Sequence, residues 1–345
     1  MRKPFLCLSD AGTLKHFLTE NGFEVFRTKQ LIDWIFNKRV DDPAKMLNIP
    51  KKLRDALSEN FICASSKIEE VSEAEDGTKK LLIKLSDGKF IESVIIPSRE
   101  RITFCLSSQV GCPVQCRFCA SGKNGLERNL KAGEIIEQFL LTCETAGKAP
   151  DNIVFMGIGE GLLNFENLSA ALLTLVDSDR FSLSPRRITV STSGWTKGIL
   201  ELARLRKQFN LALSLHAADD KIREKLIPDK FRRPISEILK ACDTYRENVG
   251  RMVTFEYTML KGINDSSNDA VALSKLARTH HAKVNLIPYN EIGSPKFSRP
   301  KEETIGKFEA ILARNGIQFT RRTEKGSSKS AACGQLRAAQ LKKKS

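Results

Sequence analysis

The first 60 residues carry apolar side chains at helical spacing. Leu14, Phe17 and Leu18 fall on one face of a helix, and the stretch 31–36 supplies a second apolar face. The pattern predicts a small helical domain. Its phenylalanines are expected to form a small core rather than a surface on which bases stack: Phe5, Phe17, Phe23, Phe26 and Phe36.

Two runs of β-type residues follow the helical region. They cover 80–85 and 90–96, and Ser86-Asp87-Gly88 between them is typical of a hairpin turn. We therefore expect a β-hairpin that links the helical domain to the rest of the chain.

From residue 102 onward, strand patterns alternate with helix patterns. The predicted strands are 102–106, 152–156, 187–191, 210–215, 252–258, 283–287 and 317–321. The predicted helices are 133–145, 166–176, 197–207, 234–247, 267–279 and 302–314. This alternation favours right-handed βαβ units, a parallel sheet and an open or closed barrel with its site at the carboxyl ends of the strands. The expected domains are 1–65 (helical), 66–100 (hairpin), 101–321 (barrel) and 322–345 (a mobile C-terminal segment).

Charge adds a partner to this picture. The 345 residues contain 56 Lys and Arg against 41 Asp and Glu, a formal net charge of +15. Such an excess favours a polyanionic partner, most simply a nucleic acid. No apolar run reaches the roughly 20 residues that a membrane span requires, and no signal peptide is apparent. We expect a soluble, cytoplasmic protein without a membrane partner.

Three of the nine cysteines stand together just after the first barrel strand, at CxxxCxxC spacing. Cys112, Cys116 and Cys119 place three thiolates in one loop that contains Gly and Pro. An iron–sulfur cube normally takes four thiolates, so three leave one iron open to a small molecule. Zinc held by three Cys and a His is the alternative, although no His lies within the motif. The spacing favours the cluster.

Further distinctive segments surround this motif. In chain order they are Ser107-Ser108-Gln109-Val110-Gly111-Cys112-Pro113, Cys119-Ala120-Ser121-Gly122, Arg128-Asn129-Leu130 before Gly133-Glu134-Ile135, Phe155-Met156-Gly157-Ile158-Gly159-Glu160, Ser191-Thr192-Ser193-Gly194, Ser214-Leu215-His216, Val284-Asn285-Leu286-Ile287-Pro288 and Ala331-Ala332-Cys333-Gly334-Gln335-Leu336. With these segments in this order, the sequence resembles the RlmN/Cfr family of radical S-adenosylmethionine (AdoMet) rRNA adenine methyltransferases.

The resemblance implies an α/β radical-AdoMet (βα) partial barrel with a small N-terminal helical domain and a β-hairpin extension. It implies a [4Fe–4S] cluster and AdoMet as cofactors, and methylation of carbon 2 of adenosine 2503 in 23S rRNA and of adenosine 37 in tRNAs. Methylation at carbon 8 of the same rRNA nucleotide is the alternative, because the motifs are shared by both activities. A zinc-dependent RNA-binding module without catalysis is a rival from another class. The expected partners are 23S rRNA, tRNA and an electron donor such as flavodoxin with its reductase, and the expected state is a monomer.

By the same resemblance, three residues carry the chemistry. Cys333 takes a methyl group from one AdoMet, a radical from a second AdoMet activates that methyl, and the carbon adds to the base. Cys105 then resolves the covalent adduct and leaves a transient disulfide, and Glu92 is the proton acceptor. From the residues alone, Cys105 fits a packed core strand and Glu92 an exposed acid on a hairpin strand.

A further set of residues matches positions that contact AdoMet in the family. A glycine after a strand lets the backbone approach a ligand, and the adjacent acid can hold the AdoMet amino group. The set is Gly159, Glu160, Ser191, Ser214, Leu215, His216 and Asn290.

The sequence departs from the family pattern in two places. Gly326-Ser327-Ser328-Lys329-Ser330 stands where many relatives have a segment with an acid, which bears on the mobility or charge of the loop that carries Cys333. Gly161 replaces the commoner proline after Gly159-Glu160, a change that we expect to be tolerated.

Overall fold

The computed structural model describes residues 3–290, 292, 296–322, 326 and 334–336, apart from the side chain of Asp229. Its N-terminal helices are α1 (Ala11–Glu20), α2 (Arg27–Ile32) and α3 (Lys51–Asn60). Helix α1 begins where the sequence supplies a cap, because the Asp10 carboxylate accepts the N–H of Thr13 at 2.7 Å.

The apolar faces predicted for these helices are buried. Leu14 and Leu18 are fully buried, and the rings of Phe17 and Phe61 meet edge to face at 5.0 Å. The prediction was wrong for Phe26, which is 59% exposed. Phe26 precedes the first turn of α2 and lies beneath the Arg27 guanidinium rather than in the core.

The predicted hairpin is present as part of a three-stranded antiparallel unit. Its strands are β1 (Lys67–Glu73), β2 (Lys79–Lys84) and β3 (Phe90–Ser98). The sequence pattern missed β1 because this edge strand is mostly charged and exposed. The extension is continuous with the barrel, since β3 pairs antiparallel with the first barrel strand, with Val94 opposite Cys105.

The remaining strands, in chain order, are β4 (Arg101–Cys105), β5 (Gln109–Gly111), β6 (Leu126–Asn129), β7 (Asn152–Phe155), β8 (Ile188–Thr192), β9 (Asn210–Ser214), β10 (Thr254–Met259), β11 (Lys283–Pro288) and β12 (Phe319–Arg321). The remaining helices are α4 (Ala132–Ala146), α5 (Phe165–Val176), α6 (Thr196–Arg204), α7 (Asp220–Glu224), α8 (Ile235–Val249), α9 (Ser267–Thr279) and α10 (Glu302–Arg314).

Seven of these strands form the parallel part of one ten-stranded sheet. Its order is β1-β2-β3-β4-β7-β8-β9-β10-β11-β12, while β5 and β6 pair separately beside the site. Alternating strand residues pack beneath the helices, as with Phe104 of β4 against Phe139 of α4. The predicted α/β partial barrel is confirmed. Over the described ranges, no helix combines the length and apolar character needed to cross a membrane.

Helix α4 joins the N-terminal helices to the barrel. A Cβ on Gly133 would lie 2.0 Å from Cγ of Phe5, so only glycine admits this ring. One turn further on, the Glu137 carboxylate accepts hydrogen bonds from the Ser65 N–H (2.8 Å) and the Ser65 and Ser66 hydroxyls (2.8 and 2.6 Å). Buried polar groups therefore fix this junction as firmly as its apolar contacts do.

A buried acid at the same junction makes stability depend on pH. Burial, with the nearby charge of Glu137, raises the pKa of Asp41 to about 7. Between its unfolded and folded pKa values, Asp41 is protonated only in the folded protein, so stability falls as pH rises through this window. We expect Asp41→Asn to remove roughly 1–3 kcal/mol of this loss between about pH 5 and about pH 8, measured by urea unfolding.

Asp42→Asn is the matched control for this experiment. Asp42 caps the next turn through the N–H of Ala44, and Asn is an equally good cap, so its pH profile should follow the unmodified protein. An Asp41→Asn profile as steep as that of the unmodified protein would show that another group causes the dependence.

Candidate active site

A cavity of about 160 Å³ opens at the carboxyl ends of the parallel strands. Side chains from the cluster loop and from the ends of β7, β8, β9 and β11 meet there. Nine of the residues predicted from the sequence line it: Cys112, Cys116, Cys119, Gly159, Glu160, Ser191, Ser214, His216 and Asn290. Residues up to 178 positions apart thus share one site.

The loop that carries the three cysteines is tightly closed on itself. The N–H of Cys112 donates to the Gly125 carbonyl at 2.9 Å, and the N–H of Cys119 donates to the Cys116 carbonyl at 3.0 Å. Gly111 has φ +75°, and a Cβ there would lie 2.0 Å from the Gly125 oxygen. The motif glycine is therefore required for the return of the loop.

The three thiols border the cavity and pack against apolar residues of the same loop, Val114 and Phe118. Burial raises the pKa of Cys112 to about 12 and also raises the pKa of Cys116 well above its usual range. Among the described residues, no three His, Cys, Asp or Glu side chains stand close enough together to hold a single metal ion. The loop therefore offers thiols that share a cavity, and metal binding there would have to displace their protons.

Glu160 presents a buried carboxylate to the cavity. Its Oε2 accepts the N–H of Ser193 at 2.7 Å, whereas Oε1 is buried and has no hydrogen-bond partner within the described parts of the chain. Burial raises the pKa of Glu160. An ammonium group placed in the cavity would satisfy Oε1 and favour the charged carboxylate. This geometry suits the amino group of an amino-acid ligand.

The serines and histidine at the strand ends form the opposite wall. Ser191 Oγ and Ser214 Oγ lie 3.4 Å apart across β8 and β9. His216 has φ +56° and its Nδ1 accepts the N–H of Thr258 at 3.1 Å. Burial lowers the pKa of His216 to about 3, so the ring is neutral and carries its proton on Nε2. The wall thus offers hydroxyl groups and one N–H donor.

Leu215 and Asn290 differ in how they meet the site. The Leu215 side chain is fully buried in the core and does not line the cavity, while its N–H donates to the Glu256 carbonyl at 3.1 Å. Leu215 can therefore contribute to the site only through its main-chain groups. Asn290 follows β11 and faces the cavity directly.

Cys105 and Glu92 lie beside this cavity rather than in its wall. Cys105 is buried among apolar side chains that include Val94, Ile158 and Leu336. Glu92 is 1% exposed, so the interpretation as an exposed acid was wrong. Its Oε1 lies 3.1 Å from Nζ of Lys80. Because Glu92 precedes Val94 by two strand residues, Glu92 and Cys105 share one face of the sheet.

A buried hydrogen-bond network connects these residues to the cavity. Ser107 Oγ donates to the Glu92 carbonyl (2.6 Å) and accepts the N–H of Ile158 (2.9 Å). The Gln138 side-chain amide bonds both the N–H and the carbonyl of Ser107, and its Oε1 also accepts from the Ser93 hydroxyl. Strand β3, the end of β4 and the loop after β7 are thereby fixed to one another.

Cys333, the predicted methyl carrier, lies outside the described residues, and so does its predicted disulfide with Cys105. Three residues that follow Cys333 in sequence are described. The Gly334 carbonyl accepts the N–H of Ala120 (2.8 Å), and the Leu336 carbonyl accepts the Ser121 hydroxyl (2.8 Å). This short piece of the C-terminal segment therefore rests on the cluster loop.

The two departures from the family pattern are accommodated locally. Gly161 begins a single helical turn, Gly161–Asn164, which is a position where proline also fits. In the other segment, the N–H of Gly326 donates to Asp76 Oδ2 at 2.9 Å, and 327–330 lie outside the described residues.

Sequence reasoning missed several residues of the wall, among them Glu256, Thr258 and Arg322. Glu256 is buried and its Oε2 accepts from the Asn285 amide at 2.7 Å. Burial raises the pKa of Glu256, although the Arg322 charge opposes this shift. A signal was present, because Thr254, Glu256 and Thr258 place polar groups on alternate positions of an otherwise apolar strand.

Two family models match the chain. Residues 106–273 match the Radical SAM superfamily, and residues 6–63 match the ribosomal RNA large subunit methyltransferase N-terminal domain.

Similar proteins match over almost the whole chain. A probable dual-specificity RNA methyltransferase RlmN from Akkermansia muciniphila is 42% identical, covering 99% of this chain and 98% of its own length. One from Clostridium perfringens is 43% identical over 96% of both chains. The crystal structure of a radical SAM methyltransferase from Sphaerobacter thermophilus, 40% identical, superposes with a TM-score of 0.92 over 97% of this chain and 99% of its own.

The close approach of backbone at Gly159 is testable. Gly159 has φ +115°, and a Cβ there would lie 2.7 Å from Ser108 Oγ and 2.8 Å from Gln109 Cβ. We expect Gly159→Ala to lose roughly 1–3 kcal/mol of unfolding free energy in urea titrations. Gly161→Ala is the control, because the one close contact of its Cβ would be the movable end of Leu168 at 2.9 Å, while Ser108 would lie at an ordinary 3.6 Å or more. Equal losses in the two variants would contradict this account.

Proposed function

Because this chain belongs to the RlmN family of radical S-adenosylmethionine RNA methyltransferases, we propose that it methylates carbon 2 of adenosine 2503 in 23S rRNA and of adenosine 37 in tRNAs. The observation that carries the proposal is one cavity lined by the three cysteines, Gly159 and Glu160. The relatives' names describe dual-specificity RNA methyltransferases, which supports two classes of RNA substrate.

The residues present fit both cofactors. Cys112, Cys116 and Cys119 would hold the [4Fe–4S] cluster, and the unsatisfied Oε1 of Glu160 would accept the AdoMet amino group. The hydroxyls of Ser191 and Ser214, the Nε2–H of His216, Asn290 and the backbone at Gly159 and Leu215 supply the other predicted contacts. When bound, the cluster and AdoMet supply the electron and the radical that activate an unreactive methyl group.

The chain's own residues take three roles in the proposal. Cys333 carries the methyl group that becomes joined to the base. Cys105, as its thiolate, attacks Cys333 Sγ and forms a disulfide, while the base-linked carbon leaves with the electron pair of the broken C–S bond and takes up a proton to become the methyl group. Glu92 removes the proton from the adduct carbon. Glu92 and Cys105 lie on the same face of the sheet. Leu336 packs with Cys105 in one group of apolar side chains. Both observations are consistent with these roles.

Charge and domain arrangement suit a large RNA substrate. The N-terminal region, proposed as the domain 1–65, carries a set of basic residues compatible with phosphate contact: Lys29, Lys38, Arg39, Lys51, Lys52 and Arg54. The hairpin 66–100, the barrel 101–321 and the segment 322–345 complete the proposed division. An external one-electron donor of the flavodoxin type and a monomeric enzyme belong to the same proposal.

An anaerobic assay with AdoMet, a reductant and unmodified rRNA or tRNA tests the function directly. We expect 2-methyladenosine, identified by mass analysis against 2-methyl and 8-methyl standards. Cys116→Ala should form no product and bind less iron. A product with the 8-methyl retention would show that carbon 8 is the target. A colourless protein with one zinc and no turnover would instead indicate a non-catalytic RNA-binding module.

The role of Cys105 gives a sharper prediction. Cys105→Ala should retain methyl transfer to Cys333 and bond formation to RNA but fail to release it, so denaturing gels should show an RNA-linked band. Glu92→Gln should slow the same release. Cys143→Ala is the matched control, since Cys143 is also a buried cysteine but lies in α4. Normal turnover without an RNA-linked band in Cys105→Ala would reduce Cys105 to a packing residue.

A further inference from the structure

Arg223 is a buried cation that the proposed reaction does not use. It lies in α7 with no exposed surface, yet burial lowers its pKa only to about 10, so it is charged at neutral pH. A buried charge normally requires an opposite charge nearby.

The hydrogen bonds of Arg223 supply no such charge. Nε donates to the Leu215 carbonyl (3.2 Å), Nη1 to the Arg233 carbonyl (3.2 Å) and Nη2 to the Ser193 carbonyl (2.5 Å). Among the described side chains, no carboxylate makes an ion pair with it. Three neutral acceptors therefore orient the guanidinium, while the nearby Asp220 carboxylate raises its pKa without forming an ion pair with it.

The turn that follows Arg223 lies against the cluster loop. The Arg223 carbonyl accepts the N–H groups of Leu226 and Ile227, and the Leu226 carbonyl accepts the N–H of Arg117 at 2.9 Å. Leu226 and Ile227 pack in the same apolar cluster as the three cysteines. The guanidinium itself reaches the same region, because the Ser193 carbonyl that it holds belongs to a residue that lines the cavity together with the three cysteines.

We propose that Arg223 is the buried counter-charge of the iron–sulfur cluster and holds its reduction potential up. The inference rests on the proposed function, because it needs the cluster to be present. Three thiolates on a doubly positive core leave a net negative charge, and one-electron reduction increases it. A cation fixed beneath the loop in a medium of low polarity stabilises the reduced form more than the oxidised form. Arg223 acts through the cluster ligands and through the Ser193 and Leu215 carbonyls, so it is a positioning residue.

The test measures the midpoint potential of the cluster in the reconstituted full-length protein, titrated with dithionite and followed by the EPR signal of the reduced form. Arg223→Met should make one-electron reduction roughly tenfold less favourable, a shift of ~59 mV to more negative potential. Arg223→Lys keeps the charge and should remain close to the unmodified protein. Arg204→Met, at an exposed position of α6, is the control for loss of a screened charge.

A second pair of variants at the same position tests the charge effect without Arg223→Met. If Arg223→Met does not fold, Arg223→Gln against Arg223→Lys makes the same comparison, with the negative shift expected only for Gln. Equal potentials in the neutral and Lys variants, or failure of Arg223→Lys to retain the cluster, would overturn the proposed charge effect. An unmodified protein without a cluster would overturn the proposed function as well. A methylating protein with an unchanged potential in Arg223→Met would overturn this inference alone.

Discussion

One buried hydroxyl holds the parts of the site in register. Ser107 Oγ bridges the main chain of β3 to the loop after β7, while Gln138 of α4 bonds both main-chain groups of Ser107. Every polar atom in this network finds a partner in a medium where an unpaired one is costly. Glu92, Cys105 and the Gly159 backbone arrive from three different segments, and their relative positions depend on this connection.

A second constraint acts on the cavity wall, because several ionisable side chains lie there in an environment with little water. Glu160 faces the cavity from the loop after β7 and Glu256 faces it from β10, while His216 is kept neutral. Arg223 lies fully buried behind the wall, where its donors fix the Ser193 and Leu215 carbonyls. Buried ionisable groups of this kind cost free energy unless they are paired, and they suit ligands that bring charges of their own.

Much of this architecture could be predicted from the sequence. The βαβ units show as an alternation of strand and helix periodicity, and the three cysteines of the CxxxCxxC motif lie within one short stretch of chain. The predicted strand ends did converge, and nine of the predicted residues line one cavity. The failures have physical causes. Strand β1 is charged on both faces, so it lacks the alternation of a half-buried strand. Glu92 is buried by the tertiary fold, which its local sequence does not show. Phe26 is exposed because of its position just before helix α2. Glu256 and Arg223 act through tertiary neighbours that no local pattern shows.

The junction between the N-terminal helices and α4 also has a consequence in time. Phe5 contacts Gly133, and Ser65 contacts Glu137. Each contact therefore joins two segments that leave the ribosome at different times. At synthesis rates of about 5–20 residues per second, the first helices wait several seconds for the surface that covers them. Their apolar faces stay open to water or to a chaperone during that interval. The junction therefore determines the order of assembly. The local helices form first, and they dock only after α4 has emerged.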